Sequence, residues 1–72
     1  MAAINKILAK PLCSIDKKPD VEVTKYIQWR VNVEIDGIWG KNTDSGVKSY
    51  QKNNGIDPDG WVGTLTWAKL IG

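Results

Sequence analysis

Asp36-Gly37-Ile38-Trp39-Gly40-Lys41-Asn42-Thr43 and Asp59-Gly60-Trp61-Val62-Gly63-Thr64-Leu65-Thr66 both read D-G-x-x-G-x-x-T, at an offset of 23 residues. The register continues upstream: Lys25 falls on Lys48, Ile27 on Tyr50, Gln28 on Gln51, Asn32 on Gly55 and Val33 on Ile56. A fixed internal period marks a repeated supersecondary unit. Here the unit reads as a helix, a helix stop, a short apolar step, an Asp-Gly turn and the start of the next helix. Asn32 and Gly55 are suited to the left-handed conformation that ends helices. The apolar Val33 and Ile56 that follow are placed to fold back on the helix just ended. Asp36-Gly37 and Asp59-Gly60 are turn dipeptides, the Asp side chain bonding nearby backbone and the Gly accepting positive φ. Gly40 and Gly63 are expected to let the backbone approach closely as the next helix opens. Asn42, Thr43, Thr64 and Thr66 all offer capping oxygens for its first amides. Two such corners join three helices.

Working outward, the first helix is expected from Asp20 or Val21 to Val31, with Asp20 as its cap. Val23, Ile27, Arg30 and Val31 share a face, Tyr26 borders it, and Trp29 points away. The second helix covers Lys41 to Asn53, with Val47, Tyr50 and Gln51 inward. Gly46 is unfavourable inside a helix and implies close packing by a neighbour. The third runs from Thr64 to Ile71 and places Leu65, Trp67, Ala68, Leu70 and Ile71 mostly inward. Ahead of this unit, residues 2–10 have the spacing for a short helix with Ile4, Ile7 and Leu8 on one face, and Pro11 interrupts it. Residues 11–19, with two prolines and a Lys pair, read as a linker. The division is therefore a tail or linker at 1–19, loose or lying along the domain, and a domain at 20–72. The fold class is all-α, a small three-helix bundle with two repeated Asp-Gly corners.

Composition narrows the function. A chain of 72 residues is one small domain near the lower limit for a self-sufficient core. With one Cys and no His, it has neither a disulfide framework nor a standard zinc set of its own. Cys13 reads as a bystander thiol in the tail. A net charge of +2, with the two signs interleaved, argues for neither nucleic acid nor a membrane surface. No apolar run approaches the length of a membrane span, and the N-terminus lacks a signal-peptide core with a cleavage site.

Catalysis finds little support. Glu34, Asp36, Asp44, Asp57 and Asp59 could in principle supply a carboxylate pair. Asp36 and Asp59 are accounted for as turn residues, however, and three short helices leave little room for a dry cleft. Ser14, Ser45, Ser49 and Cys13 have no His to activate them. Gly37, Gly40, Gly60 and Gly63 do not have phosphate-loop spacing or a preceding buried strand. No catalytic residue, metal ligand or cofactor is expected.

The aromatics separate by position. Trp67 and Tyr50 lie on inward faces, and Trp39 reads as a half-buried wedge in its corner. Trp61, whose counterpart is Ile38, and Trp29, on the outer side of the first helix, are placed to stay exposed, where flat rings serve as platforms for sugars or interface anchors. Gln28 and Gln51, at matched positions, are expected to bond the backbone of the corner that follows each.

Tyr26-Ile27-Gln28-Trp29-Arg30-Val31, Ile35 through Gly40, Thr43 through Gln51, and Asp59 through Leu70 together resemble the peptidoglycan-binding-like domain family. Its pattern is an L-Q-x-x-L helix, a D-G-x-[FW]-G-x-x-T corner, an A-V-x-x-[FY]-Q helix and a D-G-x-x-G-x-x-T-W-x-x-L ending. The resemblance covers residues 20–72; all four motifs occur in order. It departs in a short join, Asn32-Val33-Glu34-Ile35, and in Gly46, where the family commonly has Ala. The resemblance implies a non-catalytic three-helix module that holds a wall hydrolase, such as an amidase or a phage endolysin, on murein outside the cell.

The structural corner residues are Asp36, Gly37, Gly40, Thr43, Asp59, Gly60, Gly63 and Thr66. Candidate ligand contacts near the corners are Trp29, Trp61, Tyr26, Asn54 and Asp57, reading either glycan strand or stem peptide. The rival reading is a protein-interaction or regulatory module docked on a partner enzyme.

Overall fold

The computed structural model describes residues 6–71. Three helices follow one another: α1 (Val21–Arg30), α2 (Lys41–Asn53) and α3 (Thr64–Ile71). Helix α1 stops one residue before the expected Val31. Residues 6–8 are also helical and residues 9 and 10 are not; residues 2–5 of the expected N-terminal helix, Ile4 among them, lie outside the described residues. Among the described residues the only extended pairing is in isolated bridges, so the architecture is all-α.

Each of the first two helices ends in the same way. Asn32 and Gly55 take φ of 64° and 72°. The N–H of Val33 then bonds the Gln28 carbonyl at 3.1 Å, and that of Asn32 bonds Trp29 at 3.3 Å. In the second unit Ile56 reaches the Gln51 carbonyl at 2.8 Å and Gly55 reaches Lys52 at 3.2 Å. This double bond pattern is the Schellman cap, which satisfies carbonyls that would otherwise end the helix unpaired. Gly37 and Gly60 follow with φ of 77° and 81°. A Cβ at either would also press on the preceding helix, 2.9 Å from Val21 Cγ1 in one case and 2.8 Å from Asp44 Oδ1 in the other.

The helix starts differ from expectation. Asp20 precedes α1, and its carbonyl accepts from Thr24 N–H, but its side chain makes no capping bond. That carboxylate instead meets Lys6 Nζ at 3.1 Å. Gly40 is the residue before α2, again with no side-chain cap. The Thr43 and Thr66 hydroxyls are committed elsewhere, to the buried glutamine amides. Nor do Gly40 and Gly63 mark close backbone approach: a Cβ would meet nothing within 4 Å at Gly40, and only Leu12 at 3.7 Å at Gly63.

The core collects side chains from every segment. Val23 and Ile27 come from α1 and Val31 from its C-cap, Val47 from α2, and Trp67 and Leu70 from α3. The corners contribute Trp39 and its counterpart Val62, both buried. Trp39 is thus a full core residue rather than a half-buried wedge, and its indole N–H has no partner among the described residues. Helix α3 presents only Thr66, Trp67 and Leu70 inward. Leu65 is 72% exposed, and Ala68 and Ile71 also face out. Eight residues of helix supply one narrow inward stripe at i, i+3 and i+4 spacing, and Leu65 falls opposite it. The α3 end is tied back to α1, since Tyr26 Oη and Arg30 Nε both donate to the Leu70 carbonyl, at 3.2 and 2.7 Å.

The tail lies along the domain. Cys13 pairs with Val62 in an antiparallel bridge, Val62 N–H donating to Cys13 O at 2.8 Å. Trp67 Nε1 donates to Pro11 O at 2.9 Å. Cys13 is therefore not a bystander thiol: it is a small core side chain, 1% exposed, and burial pushes its pKa up to about 12. A thiol held protonated in this way is a poor nucleophile.

Gly46 shows why α2 tolerates a glycine. A Cβ there would overlap Val33 Cγ1 and come within 3.2 Å of Val31 Cγ2. Alanine would add about 1 kcal/mol of helix propensity, against about 1–3 kcal/mol for overpacking. Gly46→Ala should therefore lower stability by about 1 kcal/mol. In a Val33→Ala background the same change should become neutral or stabilising, a coupling that urea denaturation of the four proteins in the cycle measures.

Candidate functional site

The corners are organised by two buried amides. Gln28 and Gln51 are 1% and 0% exposed. Gln28 Oε1 accepts the Gly37 N–H at 2.9 Å, while its Nε2 lies 2.8 Å from Asp36 Oδ1, 3.0 Å from Ile38 O and 2.9 Å from Thr43 Oγ1. Gln51 repeats the set on Gly60 N–H, Asp59 Oδ1, Trp61 O and Thr66 Oγ1, at 3.0, 3.3, 2.8 and 3.1 Å. The two N–H groups of each amide thus face three acceptors, so one hydrogen is shared. Asp36 and Asp59 accept in addition from the N–H two residues on, at Ile38 and Trp61. The expected bonds from the glutamines to the corners are present, and they commit both N–H groups of each amide.

Fixing the corner fixes which residue faces out. The third position, Ile38 or Trp61, is exposed, and the fourth, Trp39 or Val62, is buried. Each corner consequently carries a surface hollow, of about 330 Å³ at the second and about 340 Å³ at the first. Asp36, Gly40 and Thr43 line one, and their counterparts Asp59, Gly63 and Thr66 line the other. The chemistry differs between them. The first has Glu34, Ile38, Lys41 and Asn42 where the second has Asp57, Trp61, Thr64 and Leu65. Leu12 adds a further apolar wall to the second.

Of the five candidate contacts, Trp61 and Asp57 meet in this second hollow. Trp29 and Tyr26 form a separate aromatic pair on α1, ring centroids 5.8 Å apart, and line neither hollow. Trp29 is 58% exposed, with the Arg30 guanidinium 5.6 Å from its ring centre. Tyr26 is largely spoken for, stacked near Trp67 at 6.4 Å and bonded to Leu70 O. Asn54 uses its amide to bond the Tyr50 carbonyl at 2.8 Å, a helix-end role. Leu65 and Leu12 were missed as candidates. Leu65 could have been found from its counterpart Asn42, a polar residue at the same position of the repeat. Leu12 carries no local signal.

No group of three or more His, Cys, Asp or Glu able to hold a metal occurs among the described residues. No helix among them is long and apolar enough to cross a membrane.

The paired corners define a small helical module. The chain matches the family model of the peptidoglycan binding domain over residues 24–70, and it belongs to that family, which is a binding domain and not a catalytic one. It is also 49% identical over 37 residues to an uncharacterised protein from the bpoA1 3′ region of Kitasatospora aureofaciens. That stretch is 51% of this chain and 31% of the relative, so the match spans about a third of the relative's length. No solved structure matches the chain significantly.

The Asp36 carboxyl is held below the usual carboxylate range, first by the Ile38 N–H and then by the Gln28 amide. A depressed pKa contributes stability above the unfolded-state value, about 3.9 for Asp, and that contribution is lost as pH falls through the folded value. The urea midpoint should therefore drop below about pH 4. Asp36→Asn, which keeps the acceptor oxygen and removes the titration, should show a smaller drop across the same range.

Proposed function

We propose that this chain binds peptidoglycan through the hollow at the second corner and holds an associated wall hydrolase, of amidase or endolysin type, against murein outside the cell. The observation that carries the reading is the convergence of Trp61, Asp57 and two leucines on one hollow in a chain of this family. An exposed indole offers a flat apolar face, and a neighbouring carboxylate accepts hydrogen bonds from hydroxyl or amide groups. The hydrogen-bonded corner beneath them fixes both positions in advance, which lowers the ordering cost of binding. Trp29, with Tyr26 behind it, forms a second and subordinate contact patch on α1; Asn54 supports the helix end. The module positions and does no chemistry, so the bond cleavage belongs to its partner.

Co-sedimentation of the purified chain with insoluble peptidoglycan, at low and high salt, tests this. Saturable binding that survives high salt is expected, because the contact is apolar and hydrogen-bonded rather than a matter of net charge. Trp61→Ala should weaken it by about tenfold or more, the equivalent of about 1.4 kcal/mol, and Trp29→Ala by less. Unchanged binding in both variants, with the helical circular dichroism intact, would contradict the site. No murein binding at all, with capture of a specific protein partner, would favour a docking module instead.

A further inference from the structure

The two hollows share one backbone plan and differ in what their side chains can recognise. The corner-one hollow carries Lys41, Asn42 and Glu34, groups that water solvates well. The corner-two hollow carries Trp61 and Leu65, and neither an Arg nor a Lys lines it; Asp57 and Asp59 do. It also has a wall that the repeat does not supply. Leu12 lies outside the stretch matched to the family and has no counterpart in the first corner. It is carried there by the clip on either side, in which Pro11 O accepts from Trp67 Nε1 and Cys13 pairs with Val62.

Peptidoglycan offers two chemistries to such a hollow. Its stem peptides are rich in carboxylates and would need cationic or donor-rich surroundings. Its glycan is built of neutral N-acetylated pyranose rings, each with an apolar C–H face, an acetamido methyl and several hydroxyl and amide donors. A hollow with an indole, two leucine walls, acidic acceptors and no cation complements the second. Resting on the peptidoglycan reading above, we infer that the second corner is an N-acetylhexosamine subsite, reading glycan rather than stem peptide, and that Leu12 of the N-terminal segment completes it. Trp61 stacks on the ring face, Leu12 and Leu65 enclose the acetamido methyl, and Asp57 accepts from a hydroxyl or the amide N–H. The first corner, with the same backbone and Ile38 as its one large apolar side chain, is the built-in control.

The test is an NMR titration of the full 72-residue chain with a β-1,4-linked N-acetylglucosamine tetramer and, separately, with a soluble murein stem peptide, beside sedimentation on intact murein. The sugar should shift the Trp61 indole N–H and the Leu12 and Leu65 methyls saturably, at a Kd on the order of 1 mM. Ile38 and Asn42 should not move. Leu12→Ala should weaken the sugar by about threefold or more, and Trp61→Ala by about tenfold or more, both with dispersed spectra; Ile38→Ala should leave binding unchanged. Shifts at these residues with the peptide and not the sugar would overturn the glycan assignment and leave peptidoglycan binding standing. So would silence with both probes while intact murein still pulls the chain down. Equal shifts in both hollows, or a Leu12→Ala protein that binds as before, would overturn the role of the N-terminal segment. Failure on intact murein as well would remove the reading on which the inference rests.

Discussion

A buried primary amide at the end of a helix is the constraint on which this fold depends. Gln28 and Gln51 each sit where the main-chain carbonyl takes the capping bond that stops the helix and the side chain takes the turn that follows. One residue thus specifies both the end of one helix and the path to the next. Burying an amide without partners costs several kcal/mol, so the arrangement leans on the partners that Asp, Gly and Thr supply at their spacing. That is the physical content of the D-G-x-x-G-x-x-T pattern with its Gln eight residues upstream. It also accounts for a core this small remaining specific: much of the geometry is set by directed hydrogen bonds rather than by apolar area.

The duplication then separates scaffold from recognition. Positions that bond to the glutamine match in kind between the units: Asp36 and Asp59, Gly37 and Gly60, Thr43 and Thr66. Positions that face outward from the same backbone have diverged, Ile38 against Trp61 and Asn42 against Leu65. Because the corner is rigid, side chains there change without disturbing the fold. A functional difference between two otherwise equivalent surfaces is therefore carried by a handful of residues, and the second corner acquires the apolar ones.

Most of the fold was legible in the sequence, and the misses have physical causes. The helix stops and Asp-Gly turns were readable because each depends on residue types with sharp backbone preferences at short range. The role of Thr43 and Thr66, offered with Asn42 and Thr64 as capping oxygens, was not legible, since an isolated hydroxyl near a helix start gives no sign that a glutamine fifteen residues earlier has claimed it. Leu65 was misplaced because apolar residues in an eight-residue helix outnumber the inward positions. Cys13 was misjudged and Leu12 missed because a two-residue bridge to Val62 leaves no periodic trace, and its partner is distant in the chain. Of the candidate site, Trp61 and Asp57 were reachable from their neighbourhood to the turn. The separation of Trp29 and Tyr26 from them was not, being a consequence of how α1 lies against α3.

The central claim is that the two glutamine amides hold the corners closed as part of the cooperative core. Native-state hydrogen exchange at the Gly37 and Gly60 amides, which donate to Gln28 Oε1 and Gln51 Oε1, tests it most directly. Both amides lie in turns outside any helix, where exchange is ordinarily fast. The account predicts protection approaching that of the slowest amides of α1 and α2, reporting global unfolding. Exchange near the unprotected rate at both positions, with the helices still protected, would contradict it and make the corners loose connectors between helices held together by other contacts.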